Sequence, residues 1–136
     1  MRGKFFVDSN ICLYILDKES PKYSIVKQLL EDKPIISTQI VAENLNVCIK
    51  KFKLSKADSI SHANSLLQAC EVRSVTKQTM NEALILLDRF GYTIFDSLVL
   101  ASAYEAGSNT LFSEDMQHGQ LIYKKLNIVS PFKTDK

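Results

Sequence analysis

Five short apolar runs, mostly separated by stretches of helical period, restrict the fold of this chain more than any other feature. Lys4-Phe5-Phe6-Val7, Pro34-Ile35-Ile36-Ser37, Val72 to Val75, Thr110-Leu111-Phe112 and Ile128-Val129 favour aromatic and β-branched residues and are too short for helices, which makes them buried strands. Between them, apolar side chains recur every three or four positions. Ser9 to Leu16 reads as a brief helix, and Ser20-Pro21 opens a second, proline being favoured in a first turn. A third runs from Thr38 toward Phe52. Ser55-Lys56-Ala57-Asp58 resembles a capping box that starts a fourth, ending near Cys70. Thr76 to Phe90 is the fifth, with Gly91 as its left-handed stop. Asp96 to Ala106 is the sixth, ending at Gly107. Strands buried on both faces and joined by helices imply an α/β fold, a three-layer αβα sandwich on a parallel sheet of about five strands. With 136 residues and no repeat or linker, the expectation is a single domain over 1–136. Such sheets bind ligands beyond the carboxyl ends of their strands.

Several classes of protein are disfavoured. No apolar run approaches the ~18 residues of a membrane-spanning helix. Ile94 to Ala103 is interrupted by Asp96, and Ala83 to Leu87 is closed by Asp88. Met1-Arg2-Gly3-Lys4 followed by three apolar residues is no signal-peptide core. Cys12, Cys48 and Cys70 are widely spaced in apolar stretches, and neither His62 nor His118 lies at zinc-ligand spacing from them. They read as buried thiols in a reducing compartment, so the expected location is the cytoplasm, with no membrane partner. The 17 Lys and Arg nearly balance the 15 Asp and Glu, so position carries more information than net charge.

Most acids fall where solvent is expected, among them Asp17, Glu19, Glu31, Asp32, Asp58, Glu82, Asp88 and Asp135. Four do not. Asp8 ends Phe5-Phe6-Val7, Glu43 sits within Ile40-Val41-Ala42-Glu43, Asp96 is embedded in Ile94 to Leu100, and Asp115 follows Leu111-Phe112 closely. A carboxylate beside so much apolar surface costs several kcal/mol to desolvate unless it is paired or binds a metal. Each has an ordinary alternative: Asp8 or Asp96 as a helix cap, Glu43 paired with Lys50 or Lys51, Asp115 as a plain loop residue. Taken together they do not, because three follow strands and the fourth opens a helix, so all can meet on one rim of a parallel sandwich. Four such carboxylates repel one another, and bound cations hold them ionised. Without His or Cys in the set, hard Mg²⁺ or Mn²⁺ is selected, and the chemistry indicated is metal-assisted phosphoester hydrolysis.

Four blocks carry a resemblance. Phe6-Val7-Asp8-Ser9-Asn10, Ser37 to Glu43, Asp96 to Ala103 and Phe112-Ser113-Glu114-Asp115 resemble, in order and spacing, the acidic blocks of the PIN domain, and the compact VapC-like toxins are most similar in length and layout. The resemblance implies an endoribonuclease whose Mg²⁺ or Mn²⁺ is held at Asp8, Glu43, Asp96 and Asp115, with Ser113 orienting the site and Asn10 a polar neighbour of the first acid. It implies a homodimer and, for a toxin of a type II pair, a cognate antitoxin. The last block has adjacent acids; the match favours Asp115, leaving Glu114 to face outward or pair with a base. His118 reads as an exposed loop residue or a substrate contact.

An RNA substrate requires basic flanks, and the densest is Lys50-Lys51-Phe52-Lys53-Leu54-Ser55-Lys56, itself readable as a solvated helix end. Arg73 and Arg89 are isolated further candidates. A dehalogenase-like phosphatase would need a second acid where Asn10 stands, a phosphoacceptor domain a Lys near Ile128-Val129-Ser130, and a nucleotide-binding loop clustered glycines. An RNA-processing PIN nuclease, or a PIN-like module that only binds RNA or protein, stays open beside the toxin reading.

Overall fold

The computed structural model describes residues 3–133; Met1, Arg2 and Asp135 lie outside the described residues. The order of elements is β1 (Phe5–Val7), α1 (Ser9–Cys12) continuing into a 3-10 turn (Leu13–Leu16), α2 (Tyr23–Glu31), β2 (Ile35–Ser37), α3 (Thr38–Lys50), α4 (Lys56–Ala69), β3 (Glu71–Arg73), α5 (Lys77–Phe90), α6 (Ile94–Glu105), β4 (Thr110–Phe112), β5 (Leu121–Ile122) and β6 (Leu126–Val129). The strands form one sheet in the order β3-β2-β1-β4-β6-β5, parallel except for β5. The fold is α/β, with helices flanking a mostly parallel sheet.

From β1 the chain builds outward through β2 and β3, then returns to add β4 on the other side of β1. The direction of winding therefore reverses at β1 and β4, the place where open α/β sheets leave a crevice at their carboxyl ends. Val7 pairs with Phe112, and Phe112 with Val129, so these three strands end at one level. Phe6, Ile36, Leu111, Leu126 and Ile128 are fully buried in the sheet. Helix α6 is buried over Ser97 to Ala103, almost all round, because it lies between β2 and α5.

Local departures from the sequence expectation have physical causes. The third strand is Glu71–Arg73 rather than Val72 to Val75, because the Glu71 amide donates to the Pro34 carbonyl and starts the ladder early. The Val75 amide instead donates to Thr38 Oγ1. Pro21 stays in a turn before α2, where Ser20 Oγ accepts from the Lys22 amide. The additional strand, β5, is two residues long and reaches β6 through a turn at Tyr123 and Lys124, both at positive φ (52° and 60°). That is the backbone of a primed hairpin turn, closed by the Lys125 amide on the Ile122 carbonyl, but without the Gly or Asn that would announce it.

Other local signals appear as the sequence implies. Ser55 caps α4 by accepting from the Asp58 amide, and Gly91 ends α5 at φ 76°. The three cysteines are buried and free of disulfides. Among the described residues no helix is long and apolar enough to cross a membrane.

Helix α5 begins with a reciprocal cap in which Thr76 and Thr79 each bond the other's backbone amide through a side-chain hydroxyl. Thr76→Ala is expected to lower unfolding free energy by about 1 kcal/mol, read from the urea midpoint at unchanged slope.

Candidate active site

The register of β1 against β4 sets the first contact. Beyond the Val7–Phe112 pair, the Asp8 amide donates to the Phe112 carbonyl (2.9 Å) and the Ser113 amide to the Val129 carbonyl (3.0 Å). Asp8 and Ser113 are thus neighbours, and Ser113 Oγ donates to Asp8 Oδ2 at 2.8 Å. The Ser9 amide donates to Asp8 Oδ1 at 2.7 Å. Asp8 does cap α1, as the ordinary reading proposed, but a cap needs no burial, and Asp8 is only 4% exposed. Burial lifts its pKa from 3.8 to about 7; the Ser113 and Ser9 hydrogen bonds oppose the rise, while the charges of Asp96 and Glu43 add to it.

Glu43 lies in the second turn of α3, half-buried. Its carboxylate accepts from Ser9 Oγ (2.9 Å) and Gln39 Nε2 (3.2 Å), neutral donors in place of the Lys50 or Lys51 considered from sequence. Gln39 Nε2 also donates to the Phe95 carbonyl (3.1 Å), tying α3 to the first turn of α6. In that turn the cap is Thr93, whose hydroxyl accepts from the Asp96 amide (3.1 Å). The helix begins two residues before Asp96, so Asp96 is a third-position residue, not the cap. Its pKa is raised by burial first, then by the charges of Asp115 and Glu43, against a hydrogen bond from Thr93. Asp115 is exposed, and its amide donates to Ser113 Oγ (3.3 Å).

The four acids therefore act on one another across the ends of β1 and β4 and the starts of α3 and α6. Among the described residues no three Asp, Glu, His or Cys side chains already stand close enough to ligate one ion. The chemistry of the set nonetheless fits a hard divalent cation: the donors are oxygen only, one is buried with a raised pKa, and like charges oppose joint ionisation. The neighbouring ammonium is already engaged. Lys22 Nζ bonds Glu114 at 2.6 Å, over the Tyr14 and Phe132 rings, and Tyr14 donates to Glu114 at 2.7 Å. Burial would raise the Glu114 pKa, but Lys22 and Tyr14 outweigh it and hold the carboxyl below its usual range.

The remaining sequence candidates fall at different distances from this centre. Asn10 Oδ1 is 3.5 Å from the Glu114 amide, and its Nδ2 is buried without a hydrogen-bond partner. His118 is half-buried rather than exposed, its Nδ1 accepting from the Ser130 amide at 2.9 Å. Lys51, Phe52 and Leu54 of the basic segment line a groove of about 740 Å³ that also touches Asn10, Tyr14 and Glu114. Arg73 pairs with Glu71 (2.7 Å), and Arg89 lies over the Phe90 and Tyr123 rings. Sequence reasoning gave no role to Ser9 or Gln39. The signal for Gln39 was its spacing, one turn before Glu43 on the same helix face.

A family model of the PIN domain matches residues 5–121. Among solved structures, DNA-bound VapBC from Salmonella typhimurium is similar with a TM-score of 0.72 at 17% identity, over 96% of this chain and 99% of that one. A toxin-antitoxin complex from Klebsiella pneumoniae gives 0.70 at 18%, over 97% and 100%. A Mycobacterium tuberculosis VapC toxin that cleaves the sarcin-ricin loop gives 0.68 at 18%, over 82% and 90%. At these identities the structural likeness shows the fold. No curated protein matches the chain in sequence.

The raised Asp8 pKa makes a sign-specific prediction for the metal-free protein. A carboxyl with a folded pKa above its unfolded value contributes most below about pH 4, and that contribution is lost as pH rises through about 7. Asp8→Asn, which cannot ionise, is expected to be more stable than the wild type at pH 8, by on the order of 2–4 kcal/mol, and to melt at a higher temperature. The gap should close at pH 4, as read by thermal melts in EDTA.

Proposed function

The chain belongs to the PIN domain family, and on that premise we propose that it is a metal-dependent endoribonuclease that hydrolyses RNA phosphodiester bonds, acting in the cytoplasm as the toxin of a type II toxin-antitoxin pair. The observation that carries the reading is the buried Asp8 carboxylate, fixed by Ser9 and Ser113 while it faces the charges of Asp96 and Glu43. Asp8, Glu43, Asp96 and Asp115 are the residues that would hold Mg²⁺ or Mn²⁺. Bound there, the ion supplies charge neutralisation and Lewis acidity toward a phosphodiester.

The chain's own groups prepare that chemistry. Ser113 and the Ser9 amide each hold one oxygen of Asp8, so the carboxylate cannot rotate freely. Ser9 Oγ and Gln39 hold the two oxygens of Glu43 in the same way. Ser113 also receives the Asp115 amide, which joins the exposed acid to the buried one. Lys22 neutralises Glu114 while the Tyr14 hydroxyl donates to it, so the fifth acid of the rim does not add to the repulsion an RNA backbone meets. The groove from Lys51 and Phe52 toward Asn10 offers a phosphate one cation, Lys51, beside the acids Asp17, Asp58 and Glu114.

The similarity to VapBC and toxin-antitoxin complexes supports an antitoxin as partner, and a homodimer is the working assembly we propose. Growth arrest on induced expression, relieved by co-expression of the antitoxin, is the expected outcome for a toxin. Unimpaired growth with preserved RNA cleavage would instead point to RNA processing.

The decisive assay is cleavage of RNA by the purified protein. Activity with Mn²⁺ should disappear in EDTA and fall about 100-fold or more in Asp8→Asn and Asp96→Asn, the loss of several kcal/mol of transition-state stabilisation. Cleavage that survives both substitutions would sink the metal mechanism, and tight binding without cleavage would favour a binding module. Lys51→Glu is expected to raise KM several-fold and to reduce the salt dependence of binding, with kcat nearly unchanged.

A further inference from the structure

Asn44 is a polar residue in an apolar place. It is fully buried on the inner face of α3, beside Ile40 and Cys48, where an aliphatic side chain would pack without the cost of desolvating an amide. Its hydrogen bonds lead in two directions. Nδ2 donates to the Ile40 carbonyl of its own helix (3.0 Å) and to the Ser9 carbonyl of α1 (3.4 Å). Oδ1 meets Nε2 of His62, a buried residue of α4, at 2.8 Å.

The chemistry of the partners gives the chain of bonds a single sense. Carbonyls only accept, so Asn44 presents its NH₂ to Ser9 and Ile40, and Oδ1 is left as the acceptor for His62. The proton of His62 must then sit on Nε2. Burial lowers the His62 pKa, which keeps the ring neutral and this tautomer in place. The series runs from His62 Nε2–H to Asn44 Oδ1, and from Asn44 Nδ2–H to the Ser9 carbonyl.

Ser9 is where the series reaches the acids. Its amide holds Asp8 Oδ1, its hydroxyl holds Glu43 Oε1, and its carbonyl is the group Asn44 grips. We infer that Asn44 and His62 are positioning residues that fix Ser9 against α3, and through Ser9 fix the relative placement of Asp8 and Glu43 for a divalent cation. This rests on the metal-dependent reading above and deepens it. Partners one step removed from ligands, here Ser9, typically alter metal affinity by about 10–100-fold, and Asn44 and His62, which act through Ser9, fall at the lower end of that range.

The test uses the full-length protein and two readouts, Mn²⁺ affinity by calorimetry and hydrogen exchange of the Ser9 amide by NMR without metal. Asn44→Ala and His62→Leu should each weaken Mn²⁺ binding about tenfold and speed Ser9 exchange, while His62→Gln, whose amide can still donate to Asn44, should remain within about twofold of wild type on both. If Asn44→Ala does not fold, the contrast between His62→Leu and His62→Gln decides. Wild-type Mn²⁺ affinity in folded Asn44→Ala and His62→Leu, with lowered thermal stability alone, would overturn the inference and leave the nuclease reading standing. Absence of Mn²⁺ binding by the wild type would overturn both, whatever the Ser9 exchange shows.

Discussion

The parallel pairing of Val7 with Phe112 is the constraint on which the site depends. It brings the residues immediately after β1 and β4 side by side, although 105 positions separate Asp8 from Ser113 in sequence. From that contact the rest is assembled by short links: Ser9 to Glu43, Gln39 to the start of α6, Ser113 to Asp115. The first two links are neutral donors meeting a carboxylate and a carbonyl, and the third is the Asp115 amide on the Ser113 hydroxyl, so the acids are held without being neutralised. Asp8 stays buried and hard to ionise, a local conflict of the kind folded proteins retain where a ligand resolves it.

Much of the fold was legible because burial dictates composition. Phe5-Phe6-Val7 and Ile35-Ile36 are apolar on both faces of the sheet, and that signal does not depend on where the strands pair. Helix stops such as Gly91 were legible for a backbone reason, since few residues tolerate positive φ. Elements with neither signal escaped. The strand Leu121–Ile122 is half exposed and turns through Tyr123 and Lys124, residues that carry no turn signature. The third strand shifted because its first hydrogen bond, to the Pro34 carbonyl, belongs to a partner that local sequence does not reveal.

The candidate site was legible to the extent that an acid next to apolar residues stands out. That contrast singled out Asp8, Glu43, Asp96 and Asp115, and the fold places them where their charges interact. It was blind to neutral groups. Ser9, Gln39 and Asn44 are common residues in ordinary positions, and only long-range geometry shows that they face carboxylates or hold a residue that does. The contrast also mistook starting points: Asp96 looked like the residue that opens α6, whereas Thr93 does so and Asp96 lies three positions on, within reach of the charges of Asp115 and Glu43.

The two borders of the sheet bear on whether a second strand can be added to it. On one side lies β3, only three residues long and bearing Glu71 and Arg73, which pair with each other. On the other, the two-residue β5 runs antiparallel over β6 and covers its flank. Little unpaired backbone is left for a second chain to extend, and at β3 charge guards what remains. Growth by strand addition, a route from folded domains to fibrous aggregates, is thereby hindered by the shortness of both border strands.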